Sequence, residues 1–192
     1  MPMTEIDRYL ETEPTLTRAV VCFLELEDKV LLGLRKKVSF GLGENLIAGI
    51  GGKVGDKPEN KNETNREGLI REVKEEIGVK IKEFKDMGRV RFLFPNKPKW
   101  DQDVKVYLVS KWEGEPQKTE EIVPQWYKKD QLPKKQMWDD NLLWVPKVLK
   151  GERVNATFIY DENNQKVIEY IFEDNTIPEY NFSKKLVTFS PV

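Results

Sequence analysis

The 192-residue chain contains no histidine and a single cysteine, Cys22. The missing histidine removes Ser-His-Asp and Cys-His relays, His-ligated zinc and an imidazole general base. The lone cysteine excludes an intrachain disulfide and a multi-cysteine zinc site, and it agrees with a reducing compartment. Long apolar runs are missing too: nothing approaches the roughly 18 residues of a membrane span. Residues 1–14 are acidic and polar, unlike a signal sequence, so a cytoplasmic location is expected. Charge of one sign is also lacking. The 32 Lys+Arg residues nearly cancel 33 Asp+Glu residues, which steers the chain toward neither duplex nucleic acid nor anionic membrane and leaves small-molecule chemistry open. Catalysis must therefore draw on carboxylates, Lys, Arg, Tyr, or a metal held by oxygen.

What is present suits one globular domain. Residues 1–15 read as a weakly structured lead-in, 16–172 as the domain and 173–192 as a tail. Apolar and β-branched runs at 16–25 and 29–34 predict a hairpin. A polar loop (36–45) leads to a short apolar run at 46–50, then Gly51-Gly52 and the loop 53–62. A helix is expected over 63–77, stopped by Gly78. Strands are expected at 79–84, 87–94 and 103–112, with a short extended piece at 125–128. A second helix over 139–149 takes Asp139 or Asp140 as its N-cap and kinks at Pro146. Strands at 156–160 and 166–172 close the pattern. The mixture implies an α/β fold, a mixed central sheet sandwiched between the two helices.

The first of these helices carries the chemistry. With Glu72 at zero and about 100° per residue, Leu69, Ile70, Val73 and Ile77 fall between roughly +60° and +160°, a stripe for the core. Glu72, Glu75 and Glu76 share an adjoining arc of about 100°. Three carboxylates that close repel one another unless a cation sits among them, and all-oxygen ligands select a hard divalent ion such as Mg²⁺ or Mn²⁺. A glutamate-rich helix face is more often plain solvated surface, and Arg71 alone would satisfy Glu75. The flanking residues decide between these readings.

Gly51-Gly52-Lys53-Val54, a loop, Glu63, and then REVKEEIGV from Arg71 to Val79 closely resemble the Nudix box, GX5EX7REUXEEXGU, with U aliphatic. Every specified position from Glu63 onward matches. The departure is a loop of ten residues between Gly52 and Glu63, where added length costs little. The resemblance implies a Nudix-type α/β/α sandwich in which Glu72, Glu75, Glu76 and the Gly51 carbonyl bind metal, with Glu121 as a further metal residue. It also implies a Glu63–Arg71 pair bracing the loop against the helix. Without histidine, a metal-polarised water is the nucleophile. Glu76 is the first choice of base, with Glu75 and Glu121 as the alternatives.

The resemblance extends through VLLGLRKK at 30–37, Phe40-Gly41, GIGGKV at 49–54, Gln125-Trp126 and MWDDNLLWVP at 137–146. These are similar to the branch of MutT-related oxidised purine nucleoside triphosphatases. That branch implies Trp138 stacking on a purine, Asp140 and Asn141 at the base edge, Phe40 lining the pocket and Arg35 near the substrate. The bland reading makes Trp138 and Trp144 core aromatics and Asp139/Asp140 a cap. Two departures bear on the base. Asn141 replaces the second aspartate of a pair, and Ala48 stands where the family has asparagine, with Asn45 nearby as a substitute. An asparagine always offers both a donor and an acceptor, so adenine-like, guanine-like and pterin triphosphates all remain open. The implied reaction is Mg²⁺-dependent hydrolysis of a purine nucleoside triphosphate, normal or oxidised, to monophosphate and pyrophosphate. The alternatives are a hydrolase of dihydroneopterin triphosphate or ADP-ribose, and a Nudix-like module that senses a nucleotide without cleaving it. A prenyl diphosphate isomerase is disfavoured by the missing histidine and second cysteine. The expected partner is a small nucleotide; the oligomeric state is left open.

Overall fold

The run TRAVVCFLEL is apolar on both faces, and it forms strand β1 (Thr17–Leu26), with Val20, Cys22 and Leu24 packing to one side and Phe23 to the other. The chain reverses through Glu27, at φ 54°, into β2 (Lys29–Arg35). The computed structural model describes residues 3–36 and 46–173 and the backbone of 185–186. Phe40 and Asn45, expected near the substrate, lie outside the described residues.

β1 and β2 pair only near their hairpin, from Leu24↔Leu31 to Leu26↔Lys29. Beyond it they splay, and the next described segment fills the gap between them. Its strand β3 (Ile47–Ala48) pairs with Gly33 and Leu34 of β2, while Ile50 and Lys53 bridge to Cys22 and Ala19 of β1. This wedge carries Gly51-Gly52 into the middle of the sheet.

Helix α2 (Asn65–Ile77) starts later than its sequence pattern suggests, because Thr64 caps it. The Thr64 hydroxyl accepts from Glu67 N–H, and the Glu67 carboxylate accepts from Thr64 N–H, a reciprocal capping box. Gly78, in the left-handed region at φ 75°, ends the helix at the expected stop. Leu69, Val73 and Ile77 are fully buried against Cys22, Leu24 and Val109, each contributing about 2 kcal/mol. Ile70, at the margin of the predicted stripe, is instead exposed.

The two strands expected over 79–94 form one, β4 (Lys80–Leu93), which absorbs the interruption as register shifts between Ile81 and Gly88. At Gly88 (φ 107°) a Cβ would meet the Val154 carbonyl oxygen at 1.9 Å, so only glycine fits where the neighbouring strand crosses. β5 (Gln102–Glu113) and β6 (Ile122–Lys128) follow, then a 3₁₀ turn at Lys134–Gln136 and helix α3 (Asn141–Leu149). Pro146 lies inside α3. Asp140 occupies the N-cap position, but its side chain makes no capping bond and Asp139 accepts from Val167 N–H instead. The cap position is thus the expected one, without the side-chain bond of a cap. β7 (Val154–Tyr160), β8 (Val167–Phe172) and β9 (Lys185–Leu186) complete the sheet.

Nine strands form one mixed sheet among the described residues, in the order β3-β2-β1-β5-β4-β7-β8-β9, with β6 also paired to β2. The pairs β1/β5 and β4/β7 are parallel and the rest antiparallel. α2 covers one face; α3, through Trp144, Val145, Val148 and Leu149, covers the other. The α/β/α sandwich is thus the fold. Cys22 is a buried packing residue whose thiol is pushed up by burial. No helix among the described residues is long and apolar enough to cross a membrane.

The expected lead-in is structured. Thr4 caps a helix over Glu5–Leu10, with its own capping box to Asp7, and Ile6 is buried with Leu93, Ile159 and Ile171. Sequence periodicity could not reveal so short a helix, because it turns only one fully buried residue inward.

Candidate active site

The wedge between β1 and β2 brings backbone and carboxylates together. Gly51 sits at φ 151°, and a Cβ there would meet the Val20 carbonyl oxygen at 2.1 Å. Glycine lets the chain pass close enough for Gly51 N–H to donate to Glu76 Oε2 at 2.8 Å. Gly52 leaves the space that the Glu72 carboxylate fills: a Cβ would meet Glu72 Oε2 at 2.4 Å.

Arg35, at the end of β2, spans two of these groups. Its Nη1 donates to Glu76 Oε1 at 3.0 Å and its Nη2 to the Gly51 carbonyl at 2.9 Å. Glu76 is 6% exposed, and burial pushes its carboxyl up to about 7, with Arg35 and Gly51 N–H opposing the rise and Glu72 adding to it. Burial also pushes Glu72 above the ordinary carboxylate range, against the pull of Arg71.

Arg71 organises the remainder. It forks onto Glu63, with Nε to Oε1 at 2.7 Å and Nη2 to Oε2 at 2.9 Å, and it donates to the Lys53 carbonyl at 2.9 Å. Its Nη1 donates to Glu72 at 2.6 Å and Glu75 at 3.0 Å. Glu63 also accepts from Gly55 N–H at 3.2 Å, so the ten-residue loop is tied to the helix through one carboxylate. Arg71 holds that carboxyl below its usual range.

A cleft of about 460 Å³ runs over this surface, lined by Asp56, Lys57, Glu72, Glu75, Glu76, Thr119, Glu120 and Glu121. No three acidic side chains among the described residues converge as a preformed metal nest. Arg71 holds Glu72 and Glu75, while Arg35 holds Glu76. The donor set nevertheless fits a hard divalent ion: carboxylate oxygens predominate, two are partly desolvated, and the Gly51 carbonyl adjoins them. Glu72, Glu75, Glu76 and Gly51 are the residues that would hold it, with Glu121 across the cleft.

The Gly51-Gly52 backbone lines a second cavity of about 460 Å³. Arg35, Gly51, Ala48, Trp138, Asp140 and Asn141 all line it, together with Val21, Phe92, Phe94, Gln102, Trp144 and Tyr160. The Trp138 ring meets Tyr160 edge to face at 6.2 Å, and Phe94 stacks on Tyr160 at 4.5 Å. Asp140, 2% exposed, accepts from Trp144 Nε1 at 2.6 Å and from the Tyr160 hydroxyl. Burial pushes its carboxyl up to about 6, with those two donors opposing the rise. The Asn141 backbone N–H bonds to the Trp138 carbonyl, and Asn141 is one of the polar residues of the lining, with Arg35, Lys53, Gln102 and Asp140. Asp140 is thus first a brace for the aromatic wall. Trp144, read in sequence as core, is both buried and part of the lining.

The sequence reading missed Phe92, Phe94, Gln102 and Tyr160. Their signal was weak: Phe92 near the end of β4 and Phe94 just past it alternate in the pattern of any half-buried strand. Asp56, Lys57 and Glu120 of the acidic cleft were equally silent, since loop charges normally mean solvent.

The NUDIX domain family model matches residues 15–148. The oxidized purine nucleoside triphosphate hydrolase of Danio rerio is 31% identical over 146 residues, which cover 76% of this chain and 87% of that protein. The protein of the same name from Mus musculus is 31% identical over 137 residues, covering 71% and 82% respectively. Among solved structures, a MutT protein from Bacillus halodurans superposes with a TM-score of 0.65 at 24% identity, over 85% of this chain and 100% of that one. That last likeness concerns the fold.

Proposed function

Because this chain belongs to the Nudix hydrolase family, we propose that it hydrolyses a purine nucleoside triphosphate, normal or oxidised, to the monophosphate and pyrophosphate in a Mg²⁺-dependent reaction. The observation that carries this reading is the Gly51-Gly52 backbone, a wall of one site in contact with the carboxylates of the other. Gly51 and Gly52 line the aromatic cavity and touch Glu76 and Glu72 of the acidic cleft, and Arg35 lines the cavity while holding Glu76. A nucleotide with its base in the cavity has its phosphates at that wall.

Each residue takes a role suited to its chemistry. Trp138 stacks on the base, which has a π-face to offer any purine. The Asn141 amide, donor and acceptor at once, contacts the base edge beside Asp140. Arg35 turns its guanidinium to the phosphate chain, for which its planar fork is suited. Glu76 takes a proton from the attacking water, a carboxylate base set beside the phosphate chain by Arg35 and Gly51 N–H. The new bond joins the water oxygen to phosphorus, and the bond to the bridging oxygen breaks to release pyrophosphate. A divalent ion held by Glu72, Glu75, Glu76 and the Gly51 carbonyl would neutralise phosphate charge and acidify that water. The cytoplasm, where nucleotides and reduced cysteine coexist, suits this role.

The test is a panel: normal and oxidised purine triphosphates, dihydroneopterin triphosphate and ADP-ribose, each with Mg²⁺. Pyrophosphate and a purine monophosphate are the expected products. Side-by-side rates on 8-oxo-dGTP, 2-oxo-dATP and dGTP then rank the bases. Cleavage of ADP-ribose or the pterin alone would overturn the purine assignment.

A further inference from the structure

Helix α1 (Glu5–Leu10) precedes the family match at residues 15–148, yet it is bonded to the frame of the aromatic cavity. Asp101, 0% exposed between β4 and β5, is the joint. Its Oδ1 accepts from Phe94 N–H at 2.7 Å, and its Oδ2 accepts from the Tyr9 hydroxyl at 2.7 Å. The residues on either side of this joint, Phe94 and Gln102, both line the cavity. Phe94 in turn stacks on Tyr160, on which Trp138 rests.

A buried carboxylate with one donor removed is costly, and the backbone holding it relaxes to find another. Tyr9 therefore governs how firmly Asp101 grips Phe94. The helix is anchored to do this. Ile6 is buried beneath it, and Glu5 N–H donates to Glu169 at 2.9 Å.

We propose that Tyr9 and Asp101 are positioning residues of the substrate cavity, so that the N-terminal helix tunes nucleotide affinity by fixing the Phe94 wall. This rests on the cavity being the base site. The bridge touches no group of the acidic cleft, so its effect belongs in binding, not in turnover.

Tyr9→Phe tests it, since the ring and its packing stay while the bond is lost. Full-length wild-type and variant proteins are compared by Mg²⁺-supported nucleotide hydrolysis and by amide hydrogen exchange at Phe94. The expected result is a KM raised roughly three- to tenfold with kcat within about twofold, and faster exchange at Phe94. Asp101→Asn, which keeps one acceptor, gives a smaller rise in KM than Asp101→Ala. A lower melting temperature with unchanged KM and unchanged Phe94 exchange overturns the proposal, as does a fall in kcat at constant KM. If wild-type protein hydrolyses none of the nucleotides, the functional reading fails, and Phe94 exchange alone decides the bridge.

Discussion

Glu76 concentrates the conflict between folding and chemistry. In the metal-free protein burial pushes its carboxyl up to about 7 from an ordinary 4.5, so the folded state binds the proton more tightly than the unfolded state does. The associated stability is fully present below about pH 4.5 and is lost as pH rises through about 7. Glu76→Gln removes the titration. Urea unfolding at pH 5 and pH 8 should show the variant gaining about 2 kcal/mol on wild type between the two. The same variant should lose roughly 10²- to 10⁴-fold in kcat. A variant with full activity would exclude Glu76 as the base. Trp138→Ala should act differently, raising KM about tenfold or more with little change in kcat, because a stacked aromatic contributes to binding. Steady-state kinetics separates the two effects.

Elements differ in how much of themselves the sequence discloses. α2 was legible because its signals agree: the apolar stripe Leu69, Val73, Ile77, the Gly78 stop and the box spacing all specify one helix. Its first turn was less so, since Glu63 reads as helix former yet serves the loop, and Thr64 takes the cap. β4 looked like two strands because Lys85 and Asp86 interrupt its apolar pattern, and only pairing with β5 and β7 carries the strand across. α1 was illegible, its stability coming from long-range burial of Ile6. Asp140 fits a helix cap by pattern, but its carboxylate takes its donors from the Trp144 side chain one turn on and from Tyr160 of β7. At this scale Arg71 is the pivot of α2. Arg71→Met should destabilise by about 3 kcal/mol, because it leaves the 7%-exposed Glu63 side chain without its cation. Thermal or urea unfolding reads that loss. Leu69→Ala should cost about 3 kcal/mol by cavity formation without directly touching the cleft.

At the scale of the whole molecule, the sheet does two jobs with its two faces. One face seats α2 and its glutamates; the other, with α3, builds the aromatic cavity, and the wedge at Gly51 is where they communicate. The candidate residues of both sides were readable as motifs, because short-range spacing encodes them. Their meeting was not, since it depends on the splay of β1 from β2 and on Arg35 reaching across to Glu76. The most direct measurement is pyrophosphate release from purine nucleoside triphosphates as Mg²⁺ is titrated, for wild type and for the combined Glu75→Gln, Glu76→Gln variant. Release that saturates with Mg²⁺, stops with chelator and is lost in the variant is the predicted result. Nucleotide binding without release in the wild type, or release unaffected by the two substitutions, would contradict the account.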